Sequence, residues 1–260
     1  METELTLEVK ALARAQGAHL VGIAPVERFE GAPEGHHPAD LLRGAKSVVV
    51  FAHRFFQGVL ECDRFGRTSE LIPKEELWEV QQTVFRFMYD TANMRLQQVG
   101  TQIAAFLEEQ GHAALPLPAG GFKVGAGRYA FFSHRHAAVL AGLGEFGLNN
   151  LLLTPDYGPR VRLDSVITKA ELEPDPLYEG PPICPGEECG LCLRAHECFG
   201  ELYELEMAGK KMQLAQFQGC PSDLCKRRNP EGTLPYIRFC WGICPVGKKG
   251  VGDVRERESV

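Results

Sequence analysis

Three runs of cysteine carry the most chemistry in this sequence: "CPGEECGLCLRAHECFG" from Cys184, "CPSDLC" from Cys220 and "CWGICPVG" from Cys240. Of nine cysteines, Cys62 stands alone and the rest lie between Cys184 and Cys244. Thiols gathered this densely act either as disulfide staples or as metal ligands. The N-terminal stretch "METELTLEVKALARAQG" is acidic and then amphipathic, with neither a secretory apolar core nor a twin-arginine pattern. A soluble, cytoplasmic protein is the expectation, and metal binding is then the better use of the cysteines. Cys62 reads as a buried or idle thiol.

Cys189 and Cys192 form a C-x2-C pair, which lets two thiolates grip one site from a tight turn. Cys184 precedes them and Cys198 follows; Cys220, Cys225, Cys240 and Cys244 make up the second group. Cys244 is followed by Pro245, a bacterial-ferredoxin habit in which the last cysteine of one run ligates the other cluster. The eight match two 4Fe-4S clusters at four thiolates each. Two four-thiolate zinc sites would also use all eight, but such sites show paired C-x2-C knuckles and only one is present. A regular ferredoxin run would carry cysteine at Ala195, so one cluster with spare thiols stays open as an alternative.

The rest of the chain must position this device. Leu5, Leu7, Val9, Leu12 and Ala15 have loosely helical spacing; "HLVGIAPV" and the β-branched "KSVVVFAHRF" read as strands, with a Gly/Pro-rich loop and a short helical turn between them. Lys74 to Gln110 is periodic and proline-free, a helix along a core that stops at Gly111. "HAALPLP" reads as a further strand. "AGGFKVGAGRYA" lacks the spacing of a dinucleotide fingerprint and reads as a surface loop near a ligand. Ser133 is a helix N-cap, and "NNLLLTPDYGPRVRLDSVITKAEL" reads as two strands around a turn. The proline-rich "EPDPLYEGPPIC" marks a boundary, giving a core over 1–172 and a cysteine-rich module over 173–260. That module is poor in aliphatic runs and needs metal or cross-links to hold it. A net charge of −6 argues against nucleic-acid partners, and no apolar window is long enough to cross a membrane.

"AGLGEFGLNNLLLTPDYGPRVRLDSVIT" resembles the signature of the epoxyqueuosine reductases and corrinoid reductive dehalogenases. "LARAQGAHLVGIAPVERF" and "GHHPADLLRGAKSVVVFAHRF" are similar to the N-terminal part of that superfamily, and the order of signature then cysteines is kept. The resemblance implies an α+β protein: a nitroreductase-like, cobamide-binding core followed by a small ferredoxin-like module that feeds it electrons. It places Asn149, Asn150, Asp156, Tyr157 and Arg160 beside the cofactor. The epoxyqueuosine reductases carry an acidic proton donor ahead of AGLG; counted back without gaps from Ala141, this sequence has Arg128 there and Tyr129 next to it. Arginine does not deprotonate, so Tyr129 is the candidate acid, as a tyrosine is thought to be in the dehalogenases, with Arg135 as its electrostatic partner. The family's GKN lysine is Leu148.

His134 and His136 flank Arg135; His134 is a candidate proton donor, and the plainer role for both is to cap and line a short helix. His36 and His37 more simply shape a loop than bind metal. "CKRR" at 225–228 and "GKK" at 247–249 offer a docking surface for an acidic ferredoxin or flavodoxin, or a solvated face. Two functions follow. One is an iron–sulfur oxidoreductase that uses a cobamide to reduce a small substrate. The other is a non-catalytic electron-transfer or activating protein for a corrinoid or other redox enzyme.

Overall fold

The computed structural model describes residues 3–56, 58–59, 77–119, 130–195, 199–217 and 242–247. It is a mixed helix-and-sheet fold built on a four-stranded antiparallel sheet in the order β1-β2-β6-β3. Here β1 is Leu20–Pro25, β2 Ser47–Arg54, β3 Ala114–Pro116 and β6 Val161–Thr168. The two central strands are buried on both faces: β2 pairs with β6 from Ser47↔Thr168 to Arg54↔Val161, and alternate side chains feed two different cores.

One core lies beneath α1 (Glu4–Ala15) and the long helix α3 (Leu77–Glu109). Val49, Phe51 and Val166 of the sheet meet Val9 and Ala13 of α1 and Leu96, Val99, Ile103 and Leu107 of α3. These α3 positions recur at three- and four-residue steps, so one stripe of the helix is apolar and packs down. The other core joins Val48, Val50, Ala52, Leu163 and Ile167 to α4 (His134–Leu140) and to Met212 and Leu214. Short elements complete the chain: α2 (Pro38–Leu41), the two-stranded β4 (Glu145–Phe146) and β5 (Leu152–Leu153), and α5 (Leu191–Ala195).

Met212 and Leu214 belong to a hairpin, β7 (Phe199–Met207) and β8 (Lys210–Phe217), between the first two cysteine runs. Its turn is made by Ala208 and Gly209, both at positive φ. The sequence reading did not draw it. The cysteine-rich part therefore contributes apolar side chains to the same core as α4. The linker is also fastened: Asp175 takes the Lys10 ammonium at 2.7 Å and the Ile23 amide at 2.8 Å. Arg28 donates to the carbonyls of Leu140 and Asp175. Among the described residues no helix is long and apolar enough to cross a membrane.

Candidate functional site

The signature turn stands between two features, a cavity and a group of thiols. The cavity, about 700 Å³, has apolar walls from Phe29, Phe132, Leu140, Leu152, Val161 and Leu163. Ser133, His134, Arg135 and His136 at the start of α4 line it, as do Pro159 of the signature turn and Leu205, Glu206 and Met207 of β7. That volume is typical of a pocket for a small organic ligand, with a few polar groups on apolar walls.

Ser133 caps α4, as its sequence position predicted. Its Oγ accepts from the His136 amide at 3.5 Å and lies 2.6 Å from His136 Nδ1. We assign the hydroxyl proton to the bond with Nδ1, which places the His136 proton on Nε2. The imidazole packs edge-on against Phe146 at 4.8 Å, and burial followed by the Arg135 charge lowers its pKa to about 4. His136 is a neutral hydrogen-bond donor lining the cavity.

His134 is tied on both sides. Nδ1 is 3.0 Å from Ser165 Oγ and Nε2 is 3.3 Å from the Pro118 carbonyl. The carbonyl only accepts, so Nε2 holds the proton; burial again lowers the pKa to about 4. This geometry ties the start of α4 to strand β6 and to the segment after β3. Asp164 Oδ1 lies 3.9 Å from Nε2, but with the imidazole neutral the two do not form an ion pair at neutral pH. Asp164 is fully buried and its Oδ2 has no hydrogen-bond partner; burial raises its pKa to about 7. Asp164 is not among the residues singled out from the sequence. The signal was there, a lone carboxylate in "VRLDSVIT", a stretch that reads as a buried central strand.

The other predicted side chains divide. Arg135 donates to the Asn150 carbonyl, and Asn150 stands at φ 60 and donates to the Ala215 carbonyl at 3.4 Å, so these two dock the hairpin onto the signature. Asn149 is buried and its Oδ1 accepts from the Leu151 amide at 3.2 Å. Tyr157 sets its ring 6.4 Å from His19, and Asp156 is exposed. His37 caps α2 and His36 bonds the Phe131 carbonyl, both shaping a loop as expected. Tyr129, Arg128, Cys62, Cys198, Cys220, Cys225, Cys240, the glycine-rich loop after Ala119 and the basic runs after Cys225 and Gly247 lie outside the described residues.

Arg160 turns away from the cavity. Its buried guanidinium donates to the Cys244 carbonyl at 3.0 Å and to the Val246 carbonyl. Gly158, at φ 54, makes the contact closer still: a Cβ there would lie 2.1 Å from the Val246 oxygen, so only glycine allows it. One turn thus shows Pro159 to the cavity and Gly158 and Arg160 to the Cys244 arm.

Cys184, Cys189, Cys192 and Cys244 form an electrostatic group. Burial pushes the Cys192 thiol up to about 12, and Cys184, Cys244 and Cys189 push it further in the same direction. Burial also raises Cys244, while the Val246 amide and Arg160 pull it back. Four thiolates here need a metal centre's positive charge to coexist. Among the described residues no three His, Cys, Asp or Glu side chains draw together tightly enough for a single metal ion. The group's spacing, C-x4-C-x2-C and then a distant cysteine, is the plant-type ferredoxin spacing rather than the bacterial run that would place a cysteine at Ala195. Glu145 of β4 anchors the Cys184 arm by accepting from the Ile183 and Cys184 amides.

No protein-family model matches the chain. Tetrachloroethene reductive dehalogenase of Dehalobacter restrictus is 31% identical over 236 residues, covering 81% of this chain and 40% of that protein. The Desulfitobacterium hafniense enzyme of the same name is 31% identical over 231 residues, 79% of this chain and 39% of that protein. The chain thus spans about two fifths of the curated relatives it matches. Among solved structures, the catabolic reductive dehalogenase NpRdhA aligns at TM-score 0.58 and 20% identity over 96% of this chain and 32% of that one. Epoxyqueuosine reductase from Streptococcus thermophilus aligns at TM-score 0.56 and 17% identity over 95% of this chain and 67% of that one. Both carry the same mixed helix-and-sheet fold. The chain is related in sequence to the reductive dehalogenases and shares the fold of the reductive dehalogenases and epoxyqueuosine reductases.

Proposed function

We propose that this chain is an iron–sulfur oxidoreductase that works with a cobamide to reduce a small, largely apolar substrate. Residues 1–172 form a nitroreductase-like core that holds cobamide and substrate, and residues 173–260 a ferredoxin-like module with two 4Fe-4S clusters. One observation carries the reading: the signature turn faces the cavity with Pro159 and the four-thiol group with Gly158 and Arg160. An electron leaving the thiol site for the cavity crosses a single turn.

The residues present suit both groups. Cys184, Cys189, Cys192 and Cys244 supply four thiolates for one cluster, and Cys198, Cys220, Cys225 and Cys240 remain for the other. Apolar side chains of Phe29, Phe132 and Leu152 suit contact with a macrocycle, and Arg28 and His136 suit its amide edge. A bound cobamide would supply a strongly reducing cobalt centre. The chain does the rest. The apolar walls exclude water, and His136 offers Nε2–H to an acceptor on the bound molecule. Tyr129 is the proton source in this reading.

The curated relatives are named for tetrachloroethene, and one structural neighbour is described as catalysing B12-dependent dehalogenation. Organohalides are therefore the first substrates to test. Two electrons and one proton replace a carbon–halogen bond by carbon–hydrogen and release halide. The electrons come from a low-potential ferredoxin or flavodoxin. The test is anaerobic protein loaded with iron, sulfide and hydroxocobalamin, given reduced methyl viologen and tetrachloroethene. Chloride release that needs added cobalamin is expected. Clusters that form and exchange electrons without retained cobalamin would leave the electron-transfer role in its place.

A further inference from the structure

We propose that Arg160 is a positioning residue for the metal centre: it pins the Cys244 arm to the core and sets the reduction potential of the cluster that arm closes. The inference rests on the iron–sulfur reading above and assigns a role within it. Arg160 is buried at the start of the signature strand, yet its guanidinium bonds reach a segment 84 positions away in sequence. Its donors meet the carbonyls of Cys244 and Val246, on either side of Pro245, which has no amide of its own to anchor the turn. Gly158 presses on the same Val246 oxygen, so the arm is held between a guanidinium and a bare backbone.

The chemistry of the group matters as well as its grip. A methionine or leucine of similar length would fill the space but satisfy neither carbonyl. A lysine would keep the charge but make a point contact in place of the planar fork. Because the guanidinium stays charged, it places a fixed positive charge one residue's backbone away from a cluster thiolate. Reducing a cluster adds negative charge, and a nearby cation stabilises the reduced form. Removing the charge makes the cluster harder to reduce; keeping it while loosening the fork frees the arm.

The experiment compares wild type, R160K and R160M, each prepared anaerobically with iron and sulfide. Two readouts are taken: EPR-monitored redox titration, and hydrogen exchange of the Gly242–Gly247 arm. In R160M the arm's amides are expected to exchange roughly tenfold to a hundredfold faster, the loss of charge-assisted hydrogen bonds. One cluster potential shifts to lower values in R160M, and R160K falls close to wild type. A purely structural arginine would loosen the arm and leave the potential of the remaining cluster unmoved, and that result overturns the electrostatic half. If R160M loses the cluster, arm exchange in the metal-free proteins decides: unchanged exchange overturns the positioning role. A wild-type protein that takes up no cluster overturns the iron–sulfur reading itself, whereas normal clusters with identical potentials and exchange in all three proteins overturn only the role of Arg160.

Discussion

Asp164 Oδ1 lies 3.9 Å from His134 Nε2, and in the folded protein both groups are uncharged between about pH 4 and 7. Their shifts act on stability in opposite directions. Asp164, raised from 3.8 to about 7, binds its proton more tightly when folded, so stability is lost as pH rises between those values, by ~4 kcal/mol in all. His134, lowered from 6.5 to about 4, resists protonation when folded, so stability is lost as pH falls through that window, by ~3 kcal/mol. His19 and His136 are lowered in the same way and add to the acid side.

The protein should therefore be most stable near pH 6 to 7, with a steep acid flank and a shallower alkaline one. Denaturant titrations across pH measure this. In D164N the small decline between about pH 6.5 and 7 should disappear and the acid flank should steepen, because the opposing Asp164 contribution between about pH 4 and 7 is gone. A wild-type alkaline flank retained in D164N would show that Asp164 is not the buried acid.

Ser133 fixes His136 through the 2.6 Å contact that also completes the α4 cap. S133A should cost about 1 kcal/mol of stability, the usual value of a lost N-cap. The side-chain nitrogen shifts of His136 in labelled protein should move from a pure Nε2–H form towards a mixture. In wild type the ring should stay neutral down to about pH 5, given a pKa of about 4.

Gly158 leaves no room for a side chain against Val246. G158A should displace the Gly242–Gly247 arm, reducing retained iron by about half if one of two clusters is lost. The centre assigned to Cys198, Cys220, Cys225 and Cys240, which does not use Cys244, should still assemble. Iron and acid-labile sulfide analysis reads this directly, and unchanged iron would mean that the arm docks elsewhere.

Much of this site could be read from residue order alone, because its parts are local. Ser133 before an apolar run marks a cap, "SVVVFAHR" marks a buried strand, and the Lys74–Gln110 periodicity marks a helix that the structure places at Leu77–Glu109. Histidines 36 and 37 were legible as loop formers because short-range caps dominate there. The contact between Arg160 and Cys244 was not legible, since no local rule links residues that far apart. The β7–β8 hairpin was missed for another reason. Its alternation is broken by a register shift between Phe199 and Leu202, and charged residues fill its outer face. Asp164 was overlooked because Arg162 and Ser165 beside it make the stretch read as partly solvated, although the structure buries it fully.

The most direct measurement of the central claim is anaerobic preparation of the protein with iron, sulfide and hydroxocobalamin, followed by metal analysis and EPR. The account predicts a brown protein with about eight irons per chain, the two-cluster count, and retained cobalamin with a base-off cobalt signal. A colourless protein that holds zinc and releases cobalamin would contradict it.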